Sequence, residues 1–106
     1  MQNAQPCFRA LSDPTRREIL GLLSQRGMTI AEVAENFDIT RAAVKKHLTI
    51  LQEGNLITVE TAGRTRINSL NRHGFAPVID WFAHFDAFWD DRLDALKTAI
   101  EKEHAP

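Results

Sequence analysis

The chain has 106 residues, of which 43% are hydrophobic and 25% are charged, and its formal net charge is −1. This length and composition predict one globular domain spanning residues 1–106 and exclude a disordered chain. No apolar run approaches 18 residues, the first seven residues are polar, and the single cysteine cannot form an internal disulfide, so we expect no membrane span, no export and a cytoplasmic location.

The two helices predicted first carry clear boundary signals. A short helix is predicted over residues 4–11. Asp13 is a favourable N-cap for the second helix, Pro14 suits its first position, and Gly27 is predicted to end it as a C-cap glycine. The side chains expected to face the core are Cys7, Phe8, Leu11, Ile19, Leu20, Leu22 and Leu23.

Residues 29–53 have the pattern of two short helices joined by a tight turn. Thr29 and Glu32 have capping-box spacing, Asp38 occupies the turn as a residue that tolerates left-handed backbone, and Thr40 caps the following helix. In a helix-turn-helix the second helix presents side chains to the DNA major groove. Its predicted DNA-contacting residues are Thr40, Arg41, Ala42, Ala43, Lys45, Lys46 and His47, opposite an apolar stripe of Val44, Leu48 and Leu51.

The individual roles in this helix are only partly specified by residue type. Ala42 and Ala43 suit contact with a thymine methyl group. Lys45 and Lys46 suit either guanine or phosphate, and the sequence leaves open which. For His47, packing or a phosphate hydrogen bond explains the residue as well as base contact does.

Residues 56–61 and 65–70 are rich in β-branched side chains and flank a short turn, which predicts a β-hairpin over residues 56–70. A hairpin after a helix-turn-helix is the wing of a winged-helix domain. Arg64 and Arg66 are then expected to reach the DNA backbone or minor groove, although they would also keep a hairpin soluble. Arg16 and Arg17 suit either phosphate contact or pairing with an acidic side chain.

Residues 75–103 are predicted to form one helix roughly 40 Å long, at 1.5 Å per residue, with a wide aromatic face. Such a face on a small domain predicts packing against a second copy of the chain. The sequence does not decide whether these aromatic side chains also form an effector pocket between subunits, which would bind an unidentified small-molecule effector. The expected dimer-interface residues are Phe8, Trp81, Phe85, Phe88, Trp89, Leu93 and Leu96.

The net charge is unevenly spread, being 0 over residues 1–36, +3 over residues 37–72 and −4 over residues 73–106. The basic excess therefore coincides with the predicted second helix and wing. A basic segment of this kind favours nucleic-acid binding. The acidic C-terminal segment is expected to lie on the side of the molecule away from the DNA, because its carboxylates repel phosphates.

Three segments together resemble the ArsR family of bacterial winged-helix transcriptional regulators: residues 8–20, residues 44–57 and residues 64–66. The resemblance implies a mainly α fold with a small β-hairpin, a winged helix-turn-helix that is dimeric through its terminal helices. It also implies a transcriptional repressor that binds an inverted-repeat operator in double-stranded DNA as a homodimer. Residues 81–96 are similar to a subgroup of the family without metal sites.

The departures from the family pattern bear on metal sensing and on DNA sequence preference. Residues 29–34 contain no cysteine where the arsenic and cadmium sensors carry a pair. Asp80, His84, Glu101 and His104 do not reproduce the spacing of the zinc-sensor ligands. Lys45 stands where the family usually has serine, and Asp38 where glycine is common. We therefore assign no metal ligands and no cofactor.

Two rival functions remain. A metal- or redox-responsive repressor on the same fold would use His73, His84 and His104, or Cys7. A dimeric protein-interaction module would have lost DNA binding. An enzyme is not expected, and no catalytic residue is assigned, because the chain has no phosphate-binding loop, nucleophile elbow or paired-carboxylate arrangement.

Overall fold

A computed structural model of the chain describes residues 3–104, with the side chains of residues 87–89, 103 and 104 outside the description. The described residues form a mainly helical fold with one β-hairpin, the fold class that the sequence predicts. In chain order the elements are α1 (Gln5–Leu11), α2 (Pro14–Leu23), α3 (Ile30–Ala34), α4 (Arg41–Glu53), β1 (Ile57–Ala62), β2 (Thr65–Leu70), a 3-10 helix (Arg72–Phe75), α5 (Ala76–Ala83) and α6 (Asp86–His104).

Local capping groups begin three of these helices where the sequence predicts. Asp13, Thr29 and Thr40 have extended backbone, and the side chain of each accepts a hydrogen bond from a backbone N–H in the first turn. Thr29 and Glu32 form both bonds of a capping box. These bonds satisfy N–H groups that have no partner within the helix, so the start of α4 is fixed by Thr40 itself.

The core lies between α4 and the elements that surround it. Val44, Leu48 and Leu51 turn one face of α4 inward, at the three- and four-residue spacing of a helix. The largest fully buried side chains are Ile19, Val33, Val44, Leu51, Leu56 and Ile57, contributed by α2, α3, α4 and the start of β1. Burying this face leaves the opposite side of α4 in solvent.

The hairpin is antiparallel, with Ile57 opposite Leu70 and Ala62 opposite Thr65. Its first strand begins one residue later than predicted, and Ala62 belongs to the strand. The two-residue turn begins at Gly63, whose φ of +64° is a conformation that glycine adopts without strain. A backbone bridge between Met28 and Asn68 ties the hairpin to the segment before α3.

Two expectations about backbone conformation are wrong. Helix α2 ends at Leu23, so Gly27 is not its C-cap. A Cβ at Gly27 would lie 2.8 Å from Ile67 Cγ2, so glycine is needed there for close approach to β2. Asp38 is also not left-handed; among residues 3–104 the positive φ of a non-glycine residue occurs at Asn55, just after α4.

The expected single helix over residues 75–103 is instead two helices, α5 and α6. At the break, the N–H groups of His84 and Phe85 donate to carbonyls three residues earlier, which tightens the chain. Asp86 then places an acidic side chain in the first turn of α6, where the helix dipole favours it. The apolar spacing runs through the break without interruption, so periodicity does not reveal it.

Candidate nucleic-acid interface

Helix α4 presents a basic and uncharged surface opposite its buried stripe. Arg41, Ala42, Lys45 and Lys46 are exposed, and Ala43 is half-buried. Within residues 41–49 no side chain is acidic. This half of the helix therefore offers donors and methyl groups to a negatively charged, groove-shaped ligand.

Lys45 and Lys46 leave the helix about 100° apart, because an α-helix has 3.6 residues per turn. Lys45 lies on the side of the hairpin, where it lines a groove of about 50 Å³ together with Arg66. Both lysines line a wider surface depression of about 770 Å³ on the side of α1, together with Arg9 and Glu53. The sequence treats the two lysines alike, whereas in the fold only Lys45 of the pair also lines the groove beside the hairpin.

His47 points toward α2 rather than along the exposed face of α4. Its Nδ1 lies 3.3 Å from the Arg16 guanidinium and 3.9 Å from Asp13 Oδ2, and its side chain is 23% exposed. This geometry favours the packing role over base contact for His47.

Arg16 is buried, with 8% of its surface exposed, so it is not available to a DNA phosphate. Its guanidinium donates to the carbonyl oxygens of Arg9 and Ala10, each at 2.8 Å, and so satisfies the end of α1. Neither of the two expected roles, phosphate contact or acid pairing, describes these bonds. Arg17 is exposed and donates to the Leu11 carbonyl at 2.7 Å.

Asp13 completes this cluster at the start of α2. Its carboxylate accepts the backbone N–H of Arg16 at 3.1 Å, which is the main reason that the pKa of Asp13 is lowered from its usual value. Asp13, Arg16 and His47 thus connect α1, α2 and α4 through polar contacts. The position of α4 is linked by these contacts to the N-terminal helix.

The wing presents its two arginines differently. Arg64 is exposed in the turn, whereas Arg66 is exposed on β2 opposite Thr61. Side chains alternate along a strand, so Arg66 shares its face with Asn68, which is buried and donates from Nδ2 to the Met28 carbonyl at 3.1 Å. Arg66 is therefore held on the face of the hairpin that turns toward α4.

Sequence reasoning missed three side chains beside this surface. Thr49 and Gln52 lie four and seven residues after Lys45, and they line the same groove as Lys45 does. Helical spacing alone would have identified both. Arg9 is different, because its position beside α4, 3.8 Å from the Glu53 carboxylate, depends on how α1 packs.

An exposed apolar surface lies far along the chain, on α5 and α6. Trp81, Phe85, Leu93 and Leu96 are 45%, 38%, 62% and 58% exposed. Phe8 of α1 is half-buried, and its ring meets Trp81 edge-on at 5.4 Å between centroids. The side chains of residues 88 and 89, also expected at a dimer interface, lie outside the described residues.

The groups considered for redox or metal sensing have separate surroundings. Cys7 is 3% exposed, its Sγ lies 3.8 Å from the Gly74 carbonyl oxygen, and burial raises the pKa of the thiol. Across the described part of the chain, no three His, Cys, Asp or Glu side chains gather closely enough to hold a metal ion. None of the described helices combines the length and apolar character needed to cross a membrane.

Comparisons with known proteins agree with this geometry. A family model described as a helix-turn-helix domain matches residues 11–60. The chain is 38% identical over 78 residues to the transcriptional repressor SdpR of Bacillus subtilis, a match covering 74% of this chain and 87% of the repressor.

Solved structures show the same fold. The ArsR-like transcriptional regulator from Rhodococcus sp. RHA1 is 30% identical, with a TM-score of 0.71 over 91% of each chain. The homodimeric winged helix-turn-helix DNA-binding domain Mb0332 from Mycobacterium bovis is 20% identical, with a TM-score of 0.63 over 96% of this chain and 81% of that one. This second likeness establishes the fold alone.

Proposed function

Because the chain belongs to the ArsR family of winged helix-turn-helix transcriptional regulators, we propose that it represses transcription as a homodimer bound to an inverted-repeat operator, without a metal ion. The observation that carries the proposal is the exposed basic half of α4, held outward by its buried stripe. The proposal includes the cytoplasmic location expected from the sequence, since such a regulator acts where the DNA is.

The first half of α4 is the proposed reading element. In helix-turn-helix proteins the N-terminal residues of the second helix contact base edges in the major groove. Here those residues are capped by Thr40 and begin with Arg41, whose guanidinium suits a bidentate contact with guanine. Ala42 and Ala43 are small enough to let the helix approach the base edges closely.

The apolar surface of α5 and α6 supports the homodimer. All described side chains of α6 are exposed, including Leu93, Leu96 and Ile100, so nothing within the described chain covers them. Burying each such side chain contributes roughly 1.5–3 kcal/mol. The Mycobacterium bovis domain of the same fold is itself homodimeric. If the half-sites are separated by one helical turn of DNA, the two copies of α4 in the dimer must lie about 34–36 Å apart.

Residue chemistry supports metal independence. Residues 29–34, where metal-sensing relatives carry a cysteine pair, contain none, and the single cysteine is buried with a raised thiol pKa. A buried neutral thiol is a poor metal ligand and a poor redox sensor, because both roles need the thiolate.

The test is binding of a fluorescent duplex from the region upstream of this chain's own coding sequence, with random duplexes for comparison. Anisotropy titrations at several salt concentrations, with and without EDTA, should give preferential, strongly salt-dependent binding that EDTA does not change. Replacing Arg41, Lys45 and Lys46 by alanine should abolish that preference. Lys102→Ala, which removes an exposed cation at the far end of α6, is the matched control and should bind as the wild type does.

Other outcomes separate the rivals. Binding lost in EDTA and restored by zinc would identify a metal-responsive regulator. If neither the upstream region nor any fragment selected from the genome binds better than random DNA, the protein is an interaction module instead.

The dimer is tested separately by sedimentation equilibrium. The double variant Leu93→Asp with Leu96→Asp should sediment as a monomer and lose operator affinity, because it places charges on the apolar surface. A wild-type protein that sediments as a monomer at micromolar concentration would contradict the dimer.

A further inference from the structure

The groove between α4 and the wing brings two cations together on one small concave surface, which is also lined by the apolar side chains of Ile30, Leu48 and Val59. Lys45 and Arg66 line it from opposite sides, with Thr49 and Gln52 beside them. None of the described residues that line this groove is acidic. Its volume of about 50 Å³ accommodates about three water-sized groups, which is the scale of the oxygen atoms of one phosphodiester.

The backbone fixes the two cations in this arrangement. Lys45 lies one turn before Thr49 on α4, and the neighbouring buried side chains of Val44 and Leu48 anchor this helix in the core. Arg66 is on the face of β2 that also carries buried Asn68, and the Asn68 backbone and side chain both bond to Met28. The backbone positions of both residues are therefore fixed beside the groove by packed elements.

DNA geometry determines what crosses this groove. When α4 occupies the major groove and the wing approaches the neighbouring minor groove, the sugar–phosphate strand that separates the two grooves must pass between helix and wing. We propose that Lys45 and Arg66 jointly bind one phosphate of that strand, an inference that rests on the proposed DNA-binding function. In this arrangement Lys45 strengthens and positions binding without reading sequence.

The opposite side of α4 does not fit a phosphate as well. Lys45, Lys46 and Arg9 line the wider depression there, but the Glu53 carboxylate lies 3.8 Å from the Arg9 guanidinium. A phosphate in that depression would meet a carboxylate beside one of its cations. Of the two adjacent lysines only Lys45 also lines the groove with Arg66, where no lining residue is acidic, so we assign the phosphate to that groove.

The experiment uses the full-length protein and the tightest-binding duplex recovered by selection from random-sequence DNA. Lys45→Ala and Arg66→Ala should each weaken binding about tenfold, as expected for one charge-assisted hydrogen bond. The double variant should lose less than the product of the two effects, because both cations share one ligand. For the double variant, the slope of the logarithm of the binding constant against the logarithm of the salt concentration should fall in magnitude by about 0.9. This is the value for one phosphate, whereas two separate phosphates would give about twice that amount.

Neutral methylphosphonate linkages, introduced one at a time into the selected duplex, locate the phosphate. A neutral linkage at one position should weaken binding by the wild type. On the duplex with that linkage, Lys45→Ala and Arg66→Ala should bind no more weakly than the wild type does. Arg64→Ala, which removes the exposed wing arginine outside this groove, is the control. It should weaken binding to the duplex with that linkage by the same factor as it weakens binding to the unmodified duplex. Thermal melts should be unchanged for all three variants, because these side chains are exposed.

Three results would overturn the inference. In the first, the effects of Lys45→Ala and Arg66→Ala on affinity disappear at two different neutral linkages, which would mean that the two side chains bind separate phosphates. The second is a Lys45→Ala variant with an unchanged salt slope and altered preference at one base pair, which would make Lys45 a reading residue. If the wild-type protein selects no duplex, the proposed function fails as well, and this outcome is distinct because the first two leave DNA binding intact.

Discussion

Arg16 offers the sharpest test of how this fold holds α4 in place, and we predict that Arg16→Ala is strongly destabilising. The guanidinium has three acceptors: the carbonyls of Arg9 and Ala10, each at 2.8 Å, and His47 Nδ1 at 3.3 Å. Ala10 is fully buried, so its carbonyl cannot turn to water once the arginine is gone. The variant therefore loses bonds and leaves a buried acceptor without a partner.

The magnitude follows from these contacts. An unsatisfied buried acceptor costs about 1–3 kcal/mol, and the charge-assisted bond to the Arg9 carbonyl contributes about 1.5 kcal/mol. The long contact with His47 adds little. The total is about 2.5–4.5 kcal/mol, which for a domain of this size corresponds to a fall of roughly 10–35 °C in the midpoint of thermal unfolding.

Urea denaturation followed by circular dichroism provides the assay, at one fixed protomer concentration because a dimer's stability depends on concentration. Arg17→Ala is the matched control, since Arg17 is the adjacent arginine, is exposed and makes one carbonyl bond, so it should lose under about 1 kcal/mol. Arg16→Lys keeps the charge but not the three-donor geometry, so its loss of stability should lie between those of Arg16→Ala and Arg17→Ala. Equal losses for Arg16→Ala and Arg17→Ala would refute the reasoning.

Three further predictions concern other parts of the molecule. Because the pKa of Asp13 is lowered, its carboxylate stabilises the fold above about pH 4, and this contribution disappears as pH falls through the folded-state pKa. The stability gap between wild type and Asp13→Asn, which retains a capping side chain, should therefore narrow in acid; a gap independent of pH would contradict this. Thr40→Ala should lower the free energy of unfolding, measured by urea denaturation, by about 1 kcal/mol, and Thr40→Ser, which keeps the cap, should lower it much less. Buried Cys7 should react with iodoacetamide at least about tenfold more slowly in the native protein than in denaturant, and equal rates would show an accessible thiolate.

Sequence alone predicted the features whose partners lie within a few residues. Asp13, Thr29 and Thr40 begin their helices because the groups that cap a helix come from its own first turn. The inward stripe of α4 follows from helical spacing, and the hairpin follows from β-branched runs around Gly63. The wing and the exposed side of α4, and with them most of the proposed DNA surface, were therefore predictable.

Only the tertiary structure decided the features that depend on distant partners. Gly27 is a site of close approach to β2 rather than a helix end, and the C-terminal apolar stripe continues across a break that only backbone bonds reveal. The guanidinium of Arg16 and the ring of His47 are 31 residues apart in sequence, so no local pattern predicts their contact. Lys45 and Lys46 are neighbours of identical chemistry that both line the depression beside α1, but packing of the wing places only Lys45 of the pair beside Arg66 as well. Residue type determines which contacts a side chain can make, whereas packing determines which partner lies within reach.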